Sequence, residues 1–187
     1  MKPSAQLLQP LLDTLKNHSS KTTLVGIDGY PGIGKTTLAE ELKSRGTTVL
    51  HQDDHLLSLK ERLRLIENSQ DLDTTIIFDF YDSGALQASV REFKQRSRPG
   101  DILVVEGVFV LDTYRNPEGW DVSVYLSSDD LDAIDARRIV REKKRWGDLY
   151  MSEDDPRSLF PKITKAYRSW ATRVCPERYA DLVLGVD

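Results

Sequence analysis

Residues 26–38 read GIDGYPGIGKTTL, and Gly29, Gly34, Lys35 and Thr36 within them satisfy G-x-x-x-x-G-K-[ST] between an apolar, β-branched run and a helical stretch. Few spacings constrain a chain so tightly. Glycines at these places let the backbone bend so that successive N–H groups turn inward as an anion nest, and a helix starting near Lys35 adds the positive end of its dipole. The bend is built to hold phosphate. A lysine at this position reaches β- and γ-phosphates, and the neighbouring threonine hydroxyl binds Mg²⁺. The expected contacts run along Gly29, Tyr30, Pro31, Gly32, Ile33, Gly34, Lys35, Thr36 and Thr37.

The rest of the chain predicts the setting such a bend needs. Apolar β-branched runs at 22–28, 47–52, 101–107, 121–126 and 181–186 alternate with helical stretches near 35–45, 55–67, 84–97, 129–145 and 157–173. That alternation is the pattern of a parallel sheet covered by helices on both faces. Leu7, Leu8, Leu11, Leu12 and Leu15 form an apolar stripe at helical spacing on a packing helix over about 3–17. The polar stretch 153–158 reads as a loop, and 187 residues without repeats fit one domain spanning 1–187. A net charge of −4, from 26 basic and 30 acidic residues, argues against a nucleic-acid partner. No apolar run approaches the roughly 20 residues that span a bilayer, and the N-terminus lacks the apolar core of a signal peptide. The single cysteine, Cys175, makes no internal disulfide and reads as structural. Together these point to a cytoplasmic protein, a monomer or homodimer, without a membrane partner.

Three further constellations carry chemistry. In HQDDH (51–55), Asp53 and Asp54 stand where the second strand ends, and ligands of such sheets collect beyond the carboxyl ends of the strands. A carboxylate there can accept the proton of an attacking hydroxyl or hold the metal ion, and one of the two can equally cap the helix that follows. His51 and His55 beside these acids read as surface residues. In DILVVEGVFVL, Glu106 closes an apolar strand at the same edge, where a carboxylate faces a bound metal directly or through water. In RRIVREKKR (137–145), Arg137, Arg141 and Arg145 fall in one helical row suited to phosphate oxygens, while Asp129, Asp130 and Asp132 at the start of that helix offer a helix-dipole explanation of the same charges. Trp120, Trp146 and Trp170 read as core or rim.

These residues resemble the uridine kinase-like group of P-loop small-molecule kinases, which includes uridine-cytidine, nicotinamide riboside and pantothenate kinases and phosphoribulokinase. The likeness covers most of the chain, at GYPGIGKTT, HQDDH, FDFYDSGAL (78–86), VVEGVFVL, RRIVRE and ADLVL. It implies an α/β fold: a P-loop NTPase three-layer α/β/α sandwich with a five-stranded parallel sheet and a helical lid over about 129–147. It also implies ATP and Mg²⁺, with Thr36, Asp53 and Glu106 toward the metal and Asp53 as the base. Asp54, Asp79 and Tyr81 would hold a nucleoside-like or other polyol acceptor. Lys35, Arg137 and Arg141 would serve the transfer, Arg138 would contact the nucleotide, and the segment before ADLVL would lie near the adenine.

The chain departs from uridine kinases where the acceptor is read. His55 and Leu56 replace a bulky aromatic pair, Arg141-Glu142 and Trp146-Gly147 replace the usual lid pairs, and little more than a dozen residues separate Glu106 from the fourth strand. The expectation is an ATP-dependent kinase for a small hydroxyl compound that uses uridine poorly. The competing expectation is a nucleotide-binding switch with no small-molecule acceptor. Against the switch, the chain has neither the N-K-x-D guanine-reading motif nor the L-S-G-G-Q transporter signature.

Overall fold

The computed structural model describes residues 5–18, 20–67, 74–112, 119–152, 154–155 and 158–186. Five strands, β1 (Thr23–Gly29), β2 (Thr48–His51), β3 (Ile102–Glu106), β4 (Val122–Ser127) and β5 (Leu182–Gly185), pair in parallel in the order β2-β3-β1-β4-β5. Among the described residues the helices are α1 (Ala5–Lys16), α2 (Lys35–Lys43), α3 (Leu59–Glu67), α4 (Thr74–Phe78), α5 (Ser83–Arg96), α6 (Leu131–Trp146) and α7 (Phe160–Val174). This is the helix-flanked α/β sheet that the alternating runs predict.

All seven residues of β1 are buried, as a central strand covered on both faces requires. Strand alternation sorts them. Val25 and Ile27 join Val104, Val124, Leu11, Leu38, Leu42, Tyr167 and Trp170 in one core, and Leu24 joins Leu103, Val105 and Val110 in a second, where Leu86, Val90 and Phe93 of α5 pack. Gly26 belongs to the second face because Trp120 lies across it: a methyl group there would stand 2.7 Å from the indole. Trp170 is fully buried and donates its indole N–H to Asp112 at 2.8 Å, so two of the tryptophans serve packing, while Trp146 is 51% exposed.

The chain leaves β1 for β2 at one edge, returns to β3, then crosses to β4 and β5, so the bend after β1 opens at the centre of the carboxyl edge. Two elements differ from expectation. Residues 52–55 form a 3₁₀ turn and α3 starts only at Leu59, because Ser58 and Glu61 make a reciprocal cap: the Ser58 hydroxyl accepts from Glu61 N at 3.3 Å, and Glu61 accepts from Ser58 N at 3.0 Å. Neither Asp53 nor Asp54 caps that helix. The five-residue α4 is too short for periodicity to reveal. Of the predicted loop, residues 153, 156 and 157 lie outside the described residues, as do residues 3–4 of the N-terminal helix. No helix among the described residues is long and apolar enough to cross a membrane.

Candidate active site

The bend between β1 and α2 is shaped by three glycines, Gly29, Gly32 and Gly34, with φ of 152°, 89° and 114°. Side chains rarely tolerate these angles, and a carbon added at Gly34 would meet nothing within 4 Å, so the loop presents bare backbone there. Tyr30, Pro31 and Ile33 are buried and fix the loop to the core, while Gly32, Thr36 and Thr37 face solvent. Lys35 is only 7% exposed, and its ammonium donates to the carbonyls of Gly29 at 2.7 Å and Tyr30 at 3.1 Å. Burial pulls its pKa below the usual lysine value, partly offset by the carboxylates of Asp28, Glu106 and Asp53. Helix α2 begins at this residue with no side-chain cap, which leaves its first N–H groups directed at an incoming anion.

Beside the loop, four side chains form a chain of hydrogen bonds. The Thr36 hydroxyl donates to Oε1 of Glu106 at 3.0 Å, His51 Nδ1 meets the same oxygen at 2.7 Å, and His51 Nε2 meets Oε1 of Glu40 at 2.9 Å. Sheet register produces the His51–Glu106 contact, since these residues are direct partners on β2 and β3. Helix spacing places the two ends of the chain together: Thr36 and Glu40 stand one turn apart on α2. Burial alone would lower the His51 pKa, but its two carboxylate partners outweigh burial and hold it above the ordinary histidine value. His51 thus belongs to the site, contrary to its reading as a surface residue. Gln52, next to it, is buried and accepts from Val108 N at 2.9 Å, passing so close to Gly107 that a methyl group there would stand 2.2 Å from its Oε1. The carboxyl end of β3 is thereby fixed.

Beneath the loop lies a carboxylate that motif reading passed over. Asp28 is fully buried and accepts from Gly29 N (2.6 Å), Phe109 N (3.2 Å), Leu111 N (2.9 Å) and the Tyr167 hydroxyl (3.0 Å). Burial pushes its pKa up to about 6 despite these donors and nearby Lys35. It ties the end of β1 to the turn after β3, where Phe109 takes a φ of 62°, and to α7. The signal was a lone acid inside an apolar strand, an arrangement that demands several donors.

Where the 3₁₀ turn ends, residues 55–57 and 80–82 lie antiparallel: Leu57 N donates to Phe80 O and Asp82 N to His55 O, each at 2.8 Å, around a Leu56–Tyr81 bridge. Tyr81 is buried and Asp79 exposed beside this bridge, while Asp82 accepts from Ala85 N at 2.9 Å and caps α5. Asp53 and Asp54 are both exposed on the 3₁₀ turn. Arg62, not singled out from the sequence, is half-buried on α3; its Nε donates to Leu57 O at 3.0 Å. Burial lowers its pKa, and the carboxylate of Asp53 acts against that. Its spacing in α3 marks it only as one cation in KERLR.

The basic helix α6, capped by Asp130 on Ala133 N at 2.8 Å, divides its arginines. Arg138 lies against the loop, its Cδ 3.3 Å from where a side chain on Gly32 would begin, stacks over Phe160 at 4.2 Å, and donates to Thr164 at 3.2 Å. Arg137 and Arg141 are exposed; Arg141 pairs with Glu142 at 3.2 Å, and Arg137 lines a pocket of about 350 Å³ with Ser127, Asp130, Ala133, Gly185 and Val186. Tyr30 joins the loop to both neighbouring helices, donating to Asp135 at 2.6 Å and accepting from Arg168 at 3.2 Å. One implied placement fails. The segment before ADLVL lies at the amino edge of the sheet, where Asp181 contacts Ser123 at the start of β4, whereas the loop opens at the carboxyl edge beside Leu126. A parallel strand cannot bring both ends to one edge, and the residues that reach the loop's edge are Gly185, the last of β5, and Val186 after it.

A parallel sheet in this order, with the G-x-x-x-x-G-K-T bend at its centre and acids at its carboxyl edge, is the P-loop NTPase-like α/β fold. No family model matches the chain. A uridine kinase of Brevibacillus brevis is 30% identical over 146 residues, spanning 66% of this chain and 68% of that protein. One of Macrococcus caseolyticus is 28% identical over 188 residues, spanning 84% and 89%. The chain belongs to the uridine kinase-like family of P-loop small-molecule kinases. Among solved structures, a possible uridine kinase from Bacillus stearothermophilus superposes with a TM-score of 0.63 over 95% of this chain and 96% of its own, at 19% identity. A D-glycerate 3-kinase from Cryptococcus neoformans does so at 0.59 over 89% and 88%, at 14% identity. At these identities the two structures establish the shared fold alone.

Proposed function

We propose that this kinase transfers the γ-phosphoryl group of ATP to a hydroxyl of a small polyhydroxylated metabolite, a nucleoside or similar riboside, with residues 1–187 acting as one domain. The observation that carries the reading is geometric: the exposed Asp53 stands on the 3₁₀ turn directly after His51, the register partner of Glu106, and directly before the Leu56–Tyr81 bridge. A base for the acceptor hydroxyl belongs at that junction between phosphate and acceptor. Asp53 takes the proton as the acceptor oxygen bonds to the γ-phosphorus and the bond to the β-phosphate oxygen breaks. Asp54, Asp79 and Tyr81 hold the acceptor. The loop from Gly29 to Thr37 holds the phosphates by backbone N–H groups, with Lys35 and Arg138 placing positive charge beside them.

The loop's bare backbone and the oxygen donors of Thr36 and Glu106 beside it fit ATP and Mg²⁺. The Thr36 hydroxyl and the Glu106 carboxylate, with Asp53 nearby, are the hard donors that magnesium takes. Mg²⁺ offsets negative charge on the phosphates during transfer. The pocket at Ser127, Arg137 and Val186, next to the strand that carries the loop, suits the nucleobase. Arg137 and Arg141 serve as a lid over 129–147. Its movable part is the half beyond Arg138, because Asp135 and Tyr30 tether the first half to the loop.

The test is a phosphorylation screen over ribosides, their deoxy analogues, pantothenate and simple sugar alcohols. Ribosides should be used well, uridine poorly because of His55 and Leu56, and deoxy analogues far less, since a site built to bond a hydroxyl leaves polar groups unpaired without it. Equal use of deoxy analogues, or use only of a molecule without vicinal hydroxyls, defeats the acceptor assignment.

A further inference from the structure

The hydrogen-bond chain from Thr36 to Glu40 closes into a ring. Thr36 and Glu40 are joined through one turn of α2, Glu106 and His51 through neighbouring strands, and the two pairs through side chains at 3.0 and 2.9 Å. Within this ring Oε1 of Glu106 receives two partners, the Thr36 hydroxyl and His51 Nδ1. Two fixed partners on one oxygen restrict the carboxylate to one orientation, and Glu106 is only 5% exposed, so little else competes for it. Glu40 in turn holds the imidazole from its far side, which fixes the ring plane. Such an arrangement is the outer support that orients a metal-binding carboxylate.

We propose that His51 is a positioning residue for the metal site: it aims Glu106, with Glu40 steadying the imidazole behind it, so that the pair Thr36–Glu106 receives the divalent cation bound with ATP. The inference rests on the reading of Thr36 and Glu106 as the metal-side donors. It assigns no contact between His51 and the cation. His51 acts through Glu106, at a strand end where its neighbour Gln52 has a different task, holding the backbone of Val108.

The experiment titrates Mn²⁺ into the protein–ATP complex, by electron paramagnetic resonance, and measures ATP affinity separately in EDTA. His51→Ala should weaken Mn²⁺ binding by about 10- to 100-fold while leaving ATP affinity in EDTA unchanged. His51→Asn places an amide near where Nδ1 stands and should recover most of the loss; Glu40→Ala should give a smaller loss than His51→Ala. Glu106→Gln serves as the reference and should weaken Mn²⁺ binding at least as much. If His51→Ala binds Mn²⁺ like wild type while Glu106→Gln does not, the role of His51 is refuted and the metal site stands. An unchanged Mn²⁺ affinity in Glu106→Gln refutes the metal site itself. A loss in His51→Ala that is equal with and without metal, or absence of rescue by asparagine, shows a merely structural histidine and overturns the inference. Should His51→Ala fail to fold, Glu40→Ala decides: an unaltered Mn²⁺ affinity contradicts the ring.

Discussion

The two halves of this site are built differently. On the loop side, Asp28, Lys35, Gln52 and Glu106 are all buried and hydrogen-bonded, and Asp28 and Glu106 are each held by partners from at least two elements. Elsewhere in the site, Asp53, Asp54 and Asp79 are exposed on short turns, and Arg137 and Arg141 are exposed along the middle of α6. The first half is held by the chain's own hydrogen bonds; the second consists of groups exposed to solvent. Burial explains the difference. A buried charge costs several kcal/mol unless it is fully paired, so the loop half is over-determined by its own hydrogen bonds, while an exposed acid pays nothing for waiting in water.

The largest effect should come from the buried half. Lys35→Met keeps the side-chain volume but removes the charge beside the phosphates, and turnover should fall on the order of 10³-fold in a steady-state assay. The same change strips a donor from the carbonyls of Gly29 and Tyr30, so thermal unfolding must be read alongside. Turnover near wild type in the folded variant would break the phosphate assignment. Asp53→Asn comes next, with kcat lower by about 10²-fold, ATP affinity retained and folding stability unaffected. If Asp54→Asn lowers kcat more than Asp53→Asn does, the base has been assigned one residue early.

Asp28 should show the opposite signature, in stability rather than in chemistry. Asp28→Asn sets an amide N–H against Leu111 N or the Gly29 cluster and should cost about 2 kcal/mol in denaturant unfolding at pH 7. Its folded pKa, pushed up to about 6 from an unfolded value of 3.8, means that the folded state binds the proton more tightly. Wild-type stability from this group is therefore full below about pH 4 and lost as pH rises through about 6, by roughly 3 kcal/mol in all. The asparagine variant should lack that component, and an identical pH dependence in the two proteins would show that Asp28 is not the group responsible. The smallest effects belong to the arginines. Arg138→Ala should lower turnover about tenfold, and Arg137→Ala or Arg141→Ala less, because only Arg138 already rests on the loop. A larger loss at Arg141 would place the decisive charge on the movable part of the helix.

The same contrast marks what could be read from the chain in advance. The sheet and the loop were legible because G-x-x-x-x-G-K-T and β-branched runs act locally, through backbone angles and strand period. Asp53, Glu106 and the basic helix were legible as acids and bases at strand and helix ends. His51 was not, because its partner Glu106 lies 55 residues away and only the register of β2 on β3 brings them together. Arg62 and Asp28 escaped for similar reasons: a cation in an ordinary helical charge pattern, and an acid whose donors come from 109–111 and Tyr167. The helix-capping role of the aspartates failed on a local rival, since Ser58 with Glu61 caps α3 from a position closer to its first turn.

The central claim is that ATP turnover here is transfer to an acceptor hydroxyl assisted by Asp53. The most direct measurement follows γ-labelled ATP with wild type and Asp53→Asn, with and without a riboside pool, separating labelled organic phosphate from free phosphate. The account predicts label in a riboside phosphate, formed only when acceptor is present and reduced about 10²-fold in Asp53→Asn while bound ATP is unchanged. Label appearing as free phosphate at the same rate with and without acceptor, or equal transfer by both proteins, would contradict it.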